Sequence, residues 1–158
     1  MFEDPDTARI VAFLEGIGIP VTLSAADTDS FLPGITIQNG GLVMDPARCF
    51  PGDLLHEAGH IAVTDPAARA EGIISDDPGD EMAAIAWSYA AALAIGIDPR
   101  VVFHDEGYRG SAATIAQNLG EGRSFGSPML QYYGLCAEPH QAERLGLAPY
   151  PQMSRWLR

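Results

Sequence analysis

Apolar residues recur at helical spacing near the start of the chain and predict a first helix over residues 6–15. The residues on its apolar face are Ile10, Val11, Phe13 and Leu14. Asp4 and Asp6 are available to cap the start of this helix, and Gly16 and Gly18 stop it. The sequence therefore predicts one amphipathic helix before any strand.

The pattern then changes to an alternation of apolar and polar positions. The segment VTLS, directly after Pro20, predicts a short strand, and GITIQNGGLVMD contains two alternating runs around Asn39 and Gly40. Asn and Gly tolerate the positive φ angles that tight hairpin turns require. We therefore predict a β-hairpin with strands at residues 35–38 and 42–45.

A helix that is apolar nearly all round is predicted after the hairpin, over about residues 52–63, and Gly52 or Asp53 would cap it. This helix carries His56 and His60, which are four residues apart. Side chains at that spacing project from one face, roughly 40° apart around the axis, so the two imidazoles can converge on one ion.

Glu57 completes an HExxH pattern with these histidines. It lies about 100° round the helix from His56, which is too far for easy ligation but near enough to reach a water on the same ion. The alternative is a pair of satisfied core histidines. Because buried imidazoles and a buried carboxylate cost free energy unless something satisfies them, we predict a metal site with Glu57 as general base.

Catalytic zinc usually takes three protein ligands, so another residue must join the two histidines. The segment SDDPGDEMAAIAWSYAAALAIGI predicts a long Ala-rich helix, with Asp77 as its N-cap and Asp80 at the capping-box position. Glu81 begins the small, apolar face of this helix, where an acid would be buried and would need a cation. We predict Glu81 as the third ligand, with helix capping as the alternative role and Asp80 as the alternative ligand.

The HExxH helix, followed about twenty residues later by a helix bearing Glu81, Ala84 and Trp87, resembles the glutamate-zincin metallopeptidases and more closely the ImmA/IrrE-type domain. The resemblance covers about residues 30–96. It implies a zincin-like α+β fold, with a small hairpin or sheet beside the HExxH helix and the helix that follows. It also implies a hairpin strand at the border of the cleft, so that an extended peptide could pair with its edge.

Further short helices are predicted in the C-terminal third, one of them in SPMLQYYGL. Another begins at the Asp-Pro pair at 98–99 and ends at Gly107, with His104 near its end. Metallopeptidases commonly hold the developing oxyanion with His, Tyr or Arg, and the candidates are His104, Tyr108 and Arg109. We predict His104 as a catalytic residue, and the alternative is that these side chains complement a helix C-terminus.

Composition limits the partners of the protein. A length of 158 residues suits one domain spanning 1–158, and a net charge of −12 with only nine Lys and Arg argues against nucleic acid. No apolar run is long enough to span a membrane and no secretory pattern opens the chain, so we expect a cytoplasmic protein that does not contact membranes. Cys49 and Cys136 lack a metal-ligand spacing and are expected to be reduced thiols.

Together these features predict a zinc metallopeptidase that hydrolyses peptide bonds in a peptide or protein substrate. The predicted ligands of Zn²⁺ are His56, His60 and Glu81, with Glu57 taking the proton of the bound water. Such a site also accepts other divalent ions. The alternative is a non-catalytic metal-binding module that acts by contacting another protein, and a fourth protein ligand would distinguish a structural site from a catalytic one.

Overall fold

The computed structural model describes residues 2–25, 32–104 and 108–158, and only the backbone of Arg109. In these residues the chain has a mixed α+β architecture of seven α-helices and one three-stranded sheet. The α-helices are α1 (Pro5–Ile17), α2 (Pro51–Val63), α3 (Pro66–Ala70), α4 (Pro78–Ile95), α5 (Ala112–Gly120), α6 (Ser127–Tyr132) and α7 (Ala142–Leu145). The strands are β1 (Val21–Leu23), β2 (Ile35–Gln38) and β3 (Gly41–Met44).

The predicted first helix is confirmed as α1. Asp4 is its N-cap, and its carboxylate accepts a hydrogen bond from the Asp6 amide at 2.7 Å. Gly18 ends the helix in the left-handed conformation, with a φ of 98°. Its buried face joins the hydrophobic core that α2, α4 and the sheet share.

The predicted hairpin is also confirmed. Strands β2 and β3 pair antiparallel, and β1 joins the other edge of β3 in parallel, which gives the sheet order β1-β3-β2. Asn39 and Gly40 form the turn with φ angles of 52° and 74°, the positive values that a two-residue hairpin turn needs. The hairpin strand β2 therefore lies at an edge of the described sheet.

Helices α2 and α4 pack closely enough to place their polar side chains opposite one another. A Cβ atom added to Gly59 of α2 would lie 2.8 Å from the carbonyl oxygen of Ala84 on α4, so a side chain there would push the helices apart. His60 follows Gly59 in α2, and Glu81 lies one turn before Ala84 in α4. This close approach brings a histidine of one helix to the carboxylate of the other.

The predicted start of α2 is wrong. The helix begins at Pro51 with Phe50 as N-cap, and no side chain caps it. Gly52 is packed against the segment after α4, where an added Cβ would lie 1.9 Å from the Val101 carbonyl oxygen. Asp53 instead turns its carboxylate to His104. A long-range partner therefore replaces the local capping bond.

The predicted N-cap of α4 is confirmed, because the Asp77 carboxylate accepts a hydrogen bond from the Gly79 amide at 2.7 Å. The capping-box role of Asp80 is wrong. Its buried carboxylate accepts a short hydrogen bond from the Tyr133 hydroxyl, while the Asp77 amide donates to the Ser75 hydroxyl. Asp80 therefore joins α4 to the residues after α6.

In the C-terminal third, α6 confirms the helix predicted in SPMLQYYGL. The helix predicted after residue 98 is shorter than expected, because only a 3₁₀ turn forms over Pro99–Val101 and His104 lies beyond it. Gly107, the predicted end of that helix, lies outside the described residues. Cys49 and Cys136 are free thiols, as expected. No described helix is both long and apolar enough to cross a bilayer.

Candidate metal centre

The two histidines of α2 face each other through their Nε2 atoms. His56 Nε2 and His60 Nε2 are 3.3 Å apart, and the two rings are nearly perpendicular, with an interplanar angle of 89°. Their side chains are 14 % and 16 % exposed. The spacing of four residues has therefore brought both rings to one point on the helix face, where water has little access to them.

Glu81 reaches this pair from the neighbouring helix. Its Oε2 atom is 2.7 Å from His60 Nε2, and its Oε1 atom is 3.5 Å from His56 Nε2. The Glu81 side chain is 46 % exposed, so the prediction that this acid is buried is wrong, and solvent reaches the centre from this side. The structure therefore brings together the three residues that the sequence predicts as ligands.

Glu57 belongs to the same centre. One ligand atom from each of His56, Glu57 and His60 lies within 4.8 Å of the others, so this group could hold a metal ion. Two carboxylates, from Glu57 and Glu81, thus flank the histidine pair from two different helices. Asp80, the alternative ligand, directs its carboxylate to Tyr133.

The donor set fits a tetrahedral divalent ion. Two imidazole nitrogens at about 2.0–2.1 Å from a tetrahedral zinc lie roughly 3.3 Å apart, and the two Nε2 atoms have that separation. A histidine pair with one glutamate is a ligand set of catalytic zinc sites. His56, His60 and Glu81 could therefore hold the ion with little rearrangement of their side chains.

The protonation states of the two histidines differ although the rings are adjacent. Burial and the charge of His60 lower the pKa of His56 to about 4. Burial acts in the same sense on His60, but the hydrogen bond and charge of Glu81 outweigh it and raise the pKa of His60 above its ordinary value of 6.5. The same hydrogen bond lowers the pKa of Glu81. Where His60 is protonated, its proton is therefore shared with an ionised Glu81.

This shared proton predicts how metal affinity depends on pH. Zinc binds neutral imidazoles, so it must displace the proton of His60, whose pKa is raised. Above about pH 4, His56 is already neutral and has no such proton to displace. We expect zinc affinity to be constant above the pKa of His60 and to fall about tenfold per pH unit below it. Competition with a chromophoric chelator across pH 5 to 8.5 measures this slope.

Displacement of two protons per zinc between pH 5 and 6 would contradict the lowered pKa of His56, because it would require His56 to be protonated as well. The matched control is the exposed His140, whose ion pair is with Glu138, at 4.0 Å, and not with a residue of the centre, so its replacement by Gln should leave the profile unchanged.

Two further residues predicted from the C-terminal third lie near α2 with different partners. The Tyr108 hydroxyl is 3.1 Å from His56 Nδ1, on the side of the ring away from His60. His104 Nε2 is 2.7 Å from the Asp53 carboxylate, and its ring stacks on Phe50 with the centroids 4.6 Å apart. His104 Nδ1 is buried and has no hydrogen-bond partner among the residues that the structure describes, and the role of His104 at the oxyanion stays a prediction. The side chain of Arg109 lies outside the described part of the chain.

The pair of Asp53 and His104 was missed by sequence reasoning. Asp53 is buried, and burial raises its pKa although the hydrogen bond from His104 acts against this. Asp53, His56 and His60 follow one another at intervals of three and four residues, so they share one face of α2. That spacing is the signal that could have indicated a polar contact for Asp53 in place of a cap. His104 also lines a cavity of about 580 Å³ beside α5.

No protein-family model matches the chain, and neither a curated protein nor a solved structure matches it at a significant level.

Proposed function

We propose that the protein is a zinc-dependent metallopeptidase with a zincin-like fold, similar to the glutamate-zincins and the ImmA/IrrE-type domain. The observation that carries this proposal is the meeting of Glu81 from α4 with both Nε2 atoms of the HExxH histidines. The two helices contribute these groups from positions more than twenty residues apart in sequence.

The chain provides each group that hydrolysis of a peptide bond needs. His56, His60 and Glu81 would hold the ion. When bound, zinc supplies Lewis-acid chemistry, which polarises the scissile carbonyl and acidifies a water. Glu57 takes the proton from the attacking water and passes it to the leaving amine nitrogen. Burial raises the pKa of Glu57, which favours this role because a base with a raised pKa holds the proton more readily at neutral pH.

The sheet offers a place for an extended substrate. Strand β2 is at an edge of the described sheet, whose order is β1-β3-β2, and this supports the proposal that an extended peptide adds to it as a further strand. The net charge of −12 favours neutral or basic peptides over acidic ones. We propose a peptide or unfolded protein segment as the substrate.

The test is cleavage of a broad set of peptides. Zinc-loaded protein is incubated with unfolded proteins and a mixed peptide library, and products are identified by mass spectrometry. We expect cleavage that a chelator abolishes and that added zinc restores. If a wide library shows no chelator-sensitive cleavage while zinc binding is intact, the hydrolase proposal is wrong and a non-catalytic metal-binding module takes its place.

A further inference from the structure

The Tyr108 hydroxyl lies against the ring nitrogen of His56 that does not face the candidate metal centre. We propose that Tyr108 is a positioning residue, which accepts a hydrogen bond from His56 Nδ1–H and so keeps the Nε2 lone pair directed at the ion. The inference rests on the proposed metal site, but it concerns affinity and orientation and not the peptidase reaction. Tyr108 would act on the ion only through His56.

The geometry separates the two nitrogens of His56 by function. Nε2 faces His60 Nε2 at 3.3 Å and Glu81 Oε1 at 3.5 Å, while Nδ1 faces the Tyr108 hydroxyl at 3.1 Å. A neutral imidazole has one N–H and one lone pair, so a proton on Nδ1 leaves Nε2 free to bind a metal. A histidine ligand usually donates its other N–H to a neighbouring acceptor, which fixes its tautomer and the plane of its ring.

The metal site itself sets the direction of this hydrogen bond. An ion held by Nε2 of a neutral His56 takes the lone pair of that nitrogen, so the ring proton is on Nδ1. The Tyr108 oxygen, 3.1 Å away, is then the acceptor of the hydrogen bond from His56 Nδ1–H.

Packing holds the Tyr108 ring in place against His56. The ring meets His56 edge-on, with centroids 5.3 Å apart and planes at 81°, and it contacts Phe103 at the same centroid distance. The backbone of Tyr108 has a φ of 57°, in the left-handed region that bulky residues rarely adopt. A strained tyrosine at this position is consistent with a requirement for its hydroxyl.

The test compares Tyr108→Phe with Tyr150→Phe. Each variant removes one hydroxyl from a tyrosine that packs in or against the core, but the Tyr150 hydroxyl donates to the Ala86 carbonyl of α4 at 2.8 Å, whereas that of Tyr108 meets His56. Zinc affinity is measured by chelator competition on the full chain. We expect Tyr108→Phe to weaken zinc binding about 10- to 100-fold, the usual effect of losing such a partner, and Tyr150→Phe to leave it within about twofold.

A second readout reports the tautomer directly. In zinc-loaded, ¹⁵N-labelled protein the proton on His56 Nδ1 should give a slowly exchanging NMR signal, and Tyr108→Phe should abolish it or make it exchange rapidly. A Tyr108→Phe variant that binds zinc as tightly as the parent and retains this protected signal would overturn the inference while leaving the metal site intact. A parent protein that binds no zinc would overturn the metal site and this inference together. Equal weakening in both variants would show a general effect of lost stability and would also count against Tyr108.

Discussion

Glu57→Gln is expected to reduce chelator-sensitive peptide cleavage by about a hundred- to ten-thousand-fold and to leave zinc content unchanged. Loss of a general base typically has an effect of that size. Glutamine keeps the shape of the side chain and its hydrogen-bonding capacity, but it cannot take a proton from water at neutral pH. The measurement is the initial rate on any substrate found in the library screen, with zinc determined on the same samples.

Retention of zinc follows from the position of Glu57 relative to Glu81. The Glu81 carboxylate already meets both histidines at 2.7 and 3.5 Å, and Glu57 projects about 100° round α2 from His56. Burial raises the pKa of Glu57, so the variant also removes a costly buried carboxylate and should not destabilise the fold. We therefore expect the replacement of the half-buried base Glu57 to reduce cleavage without reducing the binding of zinc by its ligands.

The matched control is Glu71→Gln, which makes the same chemical change at an exposed position after α3 and should cleave at the parental rate. A Glu57→Gln variant that cleaves as fast as the parent would contradict the role of Glu57 as base. A variant that loses its zinc would show instead that Glu57 is a ligand, which its place in the cluster with His56 and His60 allows.

The parts of the site that the sequence predicted correctly are those set by short-range geometry. The convergence of His56 and His60 follows from the pitch of one helix, and the hairpin turn follows from the backbone freedom of Asn39 and Gly40. The prediction of Glu81 as a ligand required one further inference, namely that the small-residue face of α4 packs on α2. Gly59 gave the complementary signal, because its missing side chain permits that close approach.

The contacts that sequence reasoning missed join residues about fifty positions apart. Asp53 was interpreted as a local cap because acidic residues at helix starts usually are caps, but burial at the packed start of α2 gives it His104 as partner. Asp80 was likewise interpreted as a capping residue, but its partner in the structure is Tyr133. His104 and Tyr133 lie too far along the chain from Asp53 and Asp80 for a helical or strand periodicity to indicate these contacts. Only the fold reveals the two pairs. The zincin-like topology as a whole stays a proposal for the same reason.

Glu81→Gln is expected to weaken zinc binding by more than about a hundredfold. Loss of a group that only orients a ligand typically costs 10- to 100-fold, so loss of a ligand itself should exceed that. An amide oxygen is neutral and is a poorer zinc ligand than a carboxylate. Chelator competition measures the affinity, and thermal unfolding gives an independent check. At a zinc concentration a hundred times the parental Kd, the variant should lose most of about 2.7 kcal/mol of zinc-dependent stabilisation.

Asp80→Asn is the matched control for Glu81→Gln, because it neutralises the neighbouring acid in the same turn of α4. The Asn carbonyl can still accept the hydrogen bond from the Tyr133 hydroxyl, so we expect zinc affinity within a few-fold of the parent. The reverse pattern would make Asp80 the third ligand. If neither variant loses affinity but Glu57→Gln does, the ion is held by the HExxH helix alone through His56, Glu57 and His60. That outcome would leave Glu57 unavailable as a base, because a carboxylate bound to the ion cannot also accept the proton of the attacking water.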